Sequence, residues 1–447
     1  MADLRVKFCG LESPNPFWLA SGPPANTGAQ VMRAFDAGWG GAVWKTLGEP
    51  IVNTASRYGA IDYSGVKVMG LNNIELITYR PLEVNLREIS EVKKRYPKNL
   101  VIVSLMVEST RPAWHEMVHR AEDAGANALE LNFGCPHGMS ERGMGAAVGQ
   151  VPEYTEMITS WVKEVGRTPV IVKLTPNVTD ITRIAEAAER GGADALSLIN
   201  TISSLMGINL DSFAPLFAVA GKGTHGGYCG PAVKPIALHM VSTVAKKVKI
   251  PVSGVGGISN WRDAAEHIAC GATTVQVCTA VMHYGFRIVE DMIDGLSQYM
   301  DEHGFATPSA FRGRALQNIV EWGELDLNYK VVAEINPELC IGCHLCYVAC
   351  EDGAHQCIEE YPVPLASSRP ADTHGRPEGG AAGGNGQHRV PRVIESECVG
   401  CNLCALICPV EKCITMKQVS GSLEAMSWNR RQRGSGTVTG CPAPDLD

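Results

Sequence analysis

Four stretches in the N-terminal two thirds of the chain share one plan. They are "AFDAGWGGAVW" from Ala34, "AEDAGANALEL" from Ala121, "AAERGGADALSL" from Ala187 and "AEHIACGATTVQV" from Ala265. Each is an Ala-rich helix end, a glycine and a short apolar run. Glycine is the residue that accepts the left-handed backbone closing a helix, and a short apolar run after it reads as a buried strand. The helix before the third copy carries Ile181, Ile184, Ala185 and Ala188 on one stripe behind the capping residues Thr179 and Asp180. Helix alternating with short apolar strand implies parallel β/α units.

Eight runs qualify as strands: Phe17–Ala20, Ala42–Trp44, Val101–Leu105, Ala128–Leu131, Pro169–Val172, Ala195–Ile199, Pro251–Gly254 and Thr274–Val277. Eight units in roughly 285 residues suit a (β/α)8 TIM barrel, whose usual size is about 250 residues. A doubly wound open sheet is the competing architecture. The residues after the runs favour the barrel: Ser21, Lys45, Asn132, Lys173, Asn200, Gly256 with Gly257, and Cys278 with Thr279. In a barrel these positions converge on one face, where active sites are built.

Bulk properties narrow the function classes. The net charge of −8 offers no general basic surface and argues against nucleic-acid binding. The first residues, "MADLRVKFCG", lack the apolar core of a signal peptide. The segment Ile268–Phe286 is too interrupted by Gly, Thr, Gln and His for a membrane span and reads as a strand with its following loop. We therefore expect a cytoplasmic protein without membrane contact. There, clustered cysteines mean metal or redox chemistry rather than disulfides.

The clustering is pronounced. Of sixteen cysteines, all but Cys9, Cys135, Cys229, Cys270, Cys278 and Cys441 fall between Cys340 and Cys413. "CIGCHLCYVAC" supplies Cys340, Cys343, Cys346 and Cys350, and "CVGCNLCALICP" supplies Cys398, Cys401, Cys404 and Cys408. Two copies of C-x2-C-x2-C-x3-C are the spacing of a ferredoxin with two [4Fe-4S] clusters. Three thiolates on a tight turn reach three irons of one cube, and the fourth, a helical turn later, points to the other cube. The expected sets are Cys340, Cys343, Cys346 and Cys408 for one cluster, and Cys398, Cys401, Cys404 and Cys350 for the other. Structural zinc needs only two C-x2-C pairs and leaves a third cysteine without use. Cys357 and Cys413, after the blocks, are read as packing.

The expected organisation is an α/β barrel over residues 1–310, a linker over 311–334, and a small ferredoxin-like α+β domain over 335–418. A Gly/Pro/Ala-rich insert over 366–388 is expected to be disordered, and 419–447 is a tail without functional signal. "GKGTHG" at Gly221–Gly226 fits G-x-G-x-x-G formally but is followed by "GYCGPAVKP", not by a helix start, so it is not read as a dinucleotide site. "SGVGGIS" after the seventh run and "VCTAV" after the eighth are different, because barrels often bind a phosphate there. Gly256, Gly257, Cys278 and Thr279, with Gly230, would cradle one phosphate through backbone N–H groups. A phosphate at that corner, lysines at the strand ends and an attached ferredoxin point to FMN, which couples hydride chemistry to one-electron clusters.

The motifs "LNFGCPHGMSERGMG", "KLTPNVTD", "NTISSLMG", "NNIEL" and "VKPIAL", with the paired cysteine blocks, resemble the dihydropyrimidine dehydrogenase family. The likeness is to the bacterial subunit holding FMN and clusters and to the C-terminal portion of the larger eukaryotic enzyme. The resemblance implies that Ser21, Lys45, Thr46, Lys173, Gly230, Gly256, Gly257, Cys278 and Thr279 contact FMN. It implies that Asn73, Asn132, Asn200 and Thr201 bind the pyrimidine, whose alternating C=O and N–H edge suits a carboxamide. Many relatives carry Ser where this chain has Gly134. Cys135 becomes the catalytic proton donor: uracil or thymine takes a hydride at C6 and a proton at C5, and a thiol of ordinary pKa about 8.5 gives and retakes a proton near neutral pH. The Gly/Met-rich loop after it would close over substrate. NAD(H) is expected only through a partner, an FAD- and NAD(P)H-binding flavoprotein subunit, in a heterotetramer. The competing readings are a dihydroorotate-type or other FMN enoate reductase, and a non-enzymatic iron–sulfur electron carrier.

Overall fold

The computed structural model describes residues 2–49, 58–60, 69–136, 138, 140–326, 329–364 and 387–419, which form two compact units divided between Val320 and Glu321. Of the expected insert, 366–386 lie outside the described residues, while Gln387 and His388 belong to a strand. The tail from residue 420 lies outside them as well. Among the described residues no helix is long and apolar enough to cross a membrane.

The first unit is a closed barrel of parallel strands. In chain order they are β1 (Phe17–Leu19), β2 (Gly41–Leu47), β3 (Leu100–Leu105), β4 (Ala128–Asn132), β5 (Val170–Lys173), β6 (Ala195–Leu198), β7 (Val252–Val255) and β8 (Ala272–Val277). Each pairs with its sequence neighbours, and Val275 opposite Phe17 closes the ring. This sequential order removes the open-sheet alternative. All eight expected strands are present, with shifted ends. β2 runs on to Leu47, so Lys45 and Thr46 lie inside a strand rather than after it, and Asn132 and Lys173 are themselves last strand residues. Polar inward side chains near a barrel mouth do not end a strand, because the ladder is made by the backbone. After β8 the chain forms a short helix, Thr279–Tyr284, where a loop was expected. The "GKGTHG" glycines lead into a strand, Gly226–Cys229.

The helices close their faces as the apolar stripes require. In the helix Ile181–Arg190 the Asp180 side chain accepts from Thr182 N, and Ile181, Ile184, Ala185 and Ala188 are buried. Inside the barrel, polarity rises along the axis. At the bottom Phe8, Trp18, Val43, Ile102, Ala128, Ile171 and Ala195 form an apolar plug, with Phe8 edge-on to Trp18 at 5.3 Å. Phe8 ends the first strand of a hairpin, Val6–Phe8 with Leu11–Ser13. Two residues further along the strands stand Ser104, Glu130 and Ser197, and Lys45, Asn132 and Lys173 follow at the mouth. Side chains alternate across a strand, so residues two apart share the barrel interior. An antiparallel sheet of Tyr58–Gly59, Leu71–Asn73, Gly226–Cys229 and Ile202–Ser204 contributes a wall at the mouth.

The stretch expected to be a linker is structured at both ends. Phe311 is buried in the barrel core, and Gly313 and Ala315 donate backbone hydrogen bonds to Ile268 and Ala269. Val331–Ile335 pairs antiparallel with Ile414–Gln418 in the second unit. That unit also holds a hairpin, Ile358–Pro364 with Gln387–Val393, and short helices at Leu345–Tyr347 and Leu403–Ile407.

Candidate active site and cluster centres

One cleft opens at the C-terminal ends of the barrel strands. It is lined by Ser21, Lys45, Thr46, Asn73, Asn132, Cys135, Lys173, Asn200, Thr201, Gly230, Gly256, Gly257, Cys278 and Thr279. Every barrel residue expected to contact FMN, bind the pyrimidine or donate the proton therefore lines one space. The polar ones are linked in a chain. Ser21 Oγ lies 3.1 Å from Thr46 Oγ1, which is 2.9 Å from Ser104 Oγ and accepts from Asn132 Nδ2 at 3.0 Å. Asn132 Oδ1 accepts from Asn200 Nδ2 at 2.9 Å and from Gly134 N at 3.2 Å. Asn200 Oδ1 accepts from Thr201 N, and Asn73 Nδ2 donates to Gly227 O at 2.9 Å. Each carboxamide is thus aimed by at least one internal bond, which fixes its orientation at the cleft wall.

Glycines make this packing possible. A Cβ on Gly134 would stand 2.4 Å from Asn200 Cβ, so a serine there collides with the asparagine. In place of a hydroxyl, this chain has a closely seated Asn200. The Gly256–Gly257 turn has φ of 129° and 72°, and a Cβ on Gly257 would come 2.5 Å from Lys234 N. The bare backbone suits an anion approaching its N–H groups. Two clamps hold the turn from behind. His267 Nε2 donates to Gly256 O at 3.2 Å, since a carbonyl can only accept. Lys234 Nζ pairs with Asp263 Oδ1 at 2.8 Å, and Asp263 Oδ2 accepts from Ser259 N at 2.8 Å. Burial holds the His267 pKa down at about 4, so the ring is neutral.

Two buried cations face the cleft. Lys45 pairs with Glu75, which also lines it. Lys173 Nζ stands 3.5 Å from Glu130 Oε1. Cys135 is buried against Ile77, Met106 and Met144. Of the loop after it, His137 and Met139 lie outside the described residues; a Cβ on Gly145 would approach Cys135 O to 2.9 Å. Burial, first, and the nearby Cys229 push the Cys278 thiol up to about 12, leaving it protonated. Glu75, Glu130 and Gln276 escaped the sequence reading. Glu75 stood in the quoted "NNIEL", and Glu130 lies two residues before Asn132, the period that puts both inside the barrel.

In the second unit Cys340, Cys343, Cys346 and Cys408 line one small pocket, and Cys350, Cys398, Cys401 and Cys404 line another. The turns repeat: Gly342 and His344 have φ of 67° and 58°, and Gly400 and Asn402 have 71° and 68°. These left-handed residues, one inside each C-x-G-C turn and one just after it, tighten the segment that carries the first three cysteines of each block. Cys357 and Cys413 are buried beside the two pockets, and the Cys357 thiol donates to backbone carbonyls of His355 and Glu397.

The model of dihydroorotate dehydrogenase matches residues 3–300. The chain belongs to the dihydroorotate dehydrogenase family. A 4Fe-4S binding domain matches residues 333–354, so the barrel of this family is followed here by a ferredoxin-type domain. The chain is 42% identical over 361 residues to the NAD-dependent dihydropyrimidine dehydrogenase subunit PreA of Escherichia coli, spanning 80% of this chain and 87% of that one. It is 41% identical to the chloroplastic dihydropyrimidine dehydrogenase (NADP(+)) of Arabidopsis thaliana, over 74% of this chain and 81% of the relative. The catalytic subunit of dihydroorotate dehydrogenase B (NAD(+)) of Pyrococcus horikoshii is 38% identical, with 98% of its length but 70% of this chain covered. Like these family members the chain is an oxidoreductase.

Proposed function

We propose that this chain is the catalytic subunit of a cytoplasmic dihydropyrimidine dehydrogenase, which reduces uracil or thymine to the 5,6-dihydropyrimidine reversibly. The convergence of the Asn73, Asn132, Asn200 and Thr201 group, Cys135, two buried lysines and a glycine turn on one cleft carries this reading. FMN fits the residues present: the Gly256–Gly257 turn and Gly230 leave backbone N–H groups open for its phosphate, while Lys45 and Lys173 offer charge to its ring. Ser21, Thr46, Cys278 and Thr279 complete the contacts. When bound, FMN supplies the hydride for C6 of the pyrimidine. The asparagines and Thr201 read the C=O and N–H edge of the ring and hold it in plane. Cys135 gives its proton to C5 from the opposite face and takes one back in the reverse direction. The buried, methionine-rich surroundings of Cys135 exclude water from that transfer.

Two [4Fe-4S] clusters, one in each four-cysteine pocket, would feed electrons inward one at a time. The cross-linked sets, three sulfurs from one block and the fourth from the other, match the two pockets and support cubes over zinc. The electrons would come from an NAD(P)H-oxidising flavoprotein subunit, in a heterotetramer. A dihydroorotate-type reaction would need a cation for the substrate carboxylate. It would need one beyond Lys45 and Lys173, the described cleft lysines, which the flavin would already occupy.

The test is a chemically reduced holoprotein mixed with uracil, thymine or orotate. Oxidation of the flavin band by uracil or thymine, but not by orotate, is expected, and the opposite selectivity overturns the reading. Cys135→Ala should keep flavin and clusters bound and lower turnover by about 10²–10⁴-fold, the range of a general acid. Unchanged uracil reduction in that variant would remove Cys135 from its role.

A further inference from the structure

Glu130 sits where barrel interiors are usually apolar. Its side chain is fully buried, one strand step above the plug formed by Trp18, Val43, Ile102 and Ile171. Four strands meet at it. Oε2 accepts from Ser197 Oγ at 2.9 Å and from Gln276 Nε2 at 3.0 Å, while Oε1 has no hydrogen-bond partner and stands 3.5 Å from Lys173 Nζ. The hydroxyl and the amide NH2 donate to one oxygen, and the ammonium faces the other. Each carboxyl oxygen thus meets a donor or a cation, the surroundings that suit a carboxylate. An unpaired buried charge is costly, and each partner here meets that need for the other.

The two ion pairs of the cleft are built differently. Lys45 and Glu75 both line the space, whereas Lys173 lines it and Glu130 stands behind. A group in the cleft therefore meets the positive end of the second pair first, with the negative end damping it from below.

We propose that Glu130 is the fixed counter-charge of Lys173 and sets the reduction potential of a flavin bound in the cleft. It is a positioning residue: it touches Lys173, Ser197 and Gln276, not the reactants. This inference rests on the FMN reading above. A positive charge near a flavin favours the reduced, more negative form, and a carboxylate behind that charge weakens the effect. Ser197 and Gln276 hold the carboxylate so that its distance from Lys173 stays fixed.

The experiment is a redox titration of the holoenzyme, following the flavin band, for the wild type, Glu130→Gln and Glu130→Asp. Glu130→Gln keeps size and polarity but removes the charge. Its equilibrium for flavin reduction should shift toward the reduced form by about tenfold or more, about 30 mV for a two-electron couple. Glu130→Asp draws the carboxylate back by one methylene and should give a smaller rise in the same direction. A wild-type potential in flavin-loaded Glu130→Gln overturns the inference and leaves the FMN reading intact. If Glu130→Gln does not fold, an unshifted Glu130→Asp overturns it equally. A wild-type holoprotein without a flavin band defeats the FMN reading itself, and this inference with it.

Discussion

Cys340, Cys343 and Cys346 reach their pocket from one seven-residue turn, whereas Lys45, Asn132, Lys173 and Asn200 reach theirs from four different strands or their exits. In the ferredoxin-type unit the four cysteines that line each pocket are local, apart from one that comes from the other block. At the barrel mouth nothing is local, and each residue is placed by the closure of a ring. A local site should fail one part at a time. A convergent site should transmit damage between residues distant in sequence.

The largest expected effect tests the local side. Cys404→Ser should remove one cluster, halving the iron content, and abolish turnover driven by the partner subunit. Reduction of uracil by chemically reduced flavin should persist, because the barrel does not depend on that turn. Retention of the full iron content would break the assignment of this cysteine. The next effect tests the convergent side. Gly257→Ala forces a Cβ to 2.5 Å from the Lys234 backbone, an overpacking worth about 1–3 kcal/mol. Fluorescence titration should show FMN affinity falling about 5- to 150-fold, with the clusters unaffected.

Gly134→Ala sharpens the comparison within the cleft. The three atoms nearest the added carbon all belong to Asn200, which is assigned to the pyrimidine rather than to FMN. The KM for uracil should rise by about tenfold, within the same overpacking range, while FMN affinity stays put. Equal losses of both would mean that the carboxamides and the flavin are not separately seated. The last effect is a pH dependence of stability, not of either site. The folded-state pKa of His267, held at about 4, lies below the unfolded value of about 6.5. Its neutral burial therefore favours the fold above pH 6.5, and that contribution drains away as pH falls toward 4. Denaturant titrations across this window should lose on the order of 3 kcal/mol from this group, and less in His267→Gln, which cannot charge.

Much of the architecture was legible because it is written in short-range pattern. The helix-Gly-strand repeat marked four strands and short apolar runs marked the other four, since a buried parallel strand needs an apolar run. Strand ends were less legible. Lys45 and Thr46 looked like loop residues, but backbone pairing carried β2 past them to Leu47. The linker reading missed Phe311, because a single aromatic gives no sign of which core it will enter. Glu130 was hidden for a different reason. A charged residue inside an apolar run is ordinarily solvated, and only the barrel brings Ser197, Gln276 and Lys173 around it.

By itself the sequence determined the alternation that makes a parallel barrel, the two cysteine turns, and the residue types at the strand ends. Those depend on contacts within a few residues, where spacing is geometry. The tertiary structure alone decided which side chains share a hydrogen bond, which glycines must stay bare beside a neighbour's side chain, and which carboxylate faces which lysine. Such partners lie tens to hundreds of residues apart, and only ring closure fixes their distances.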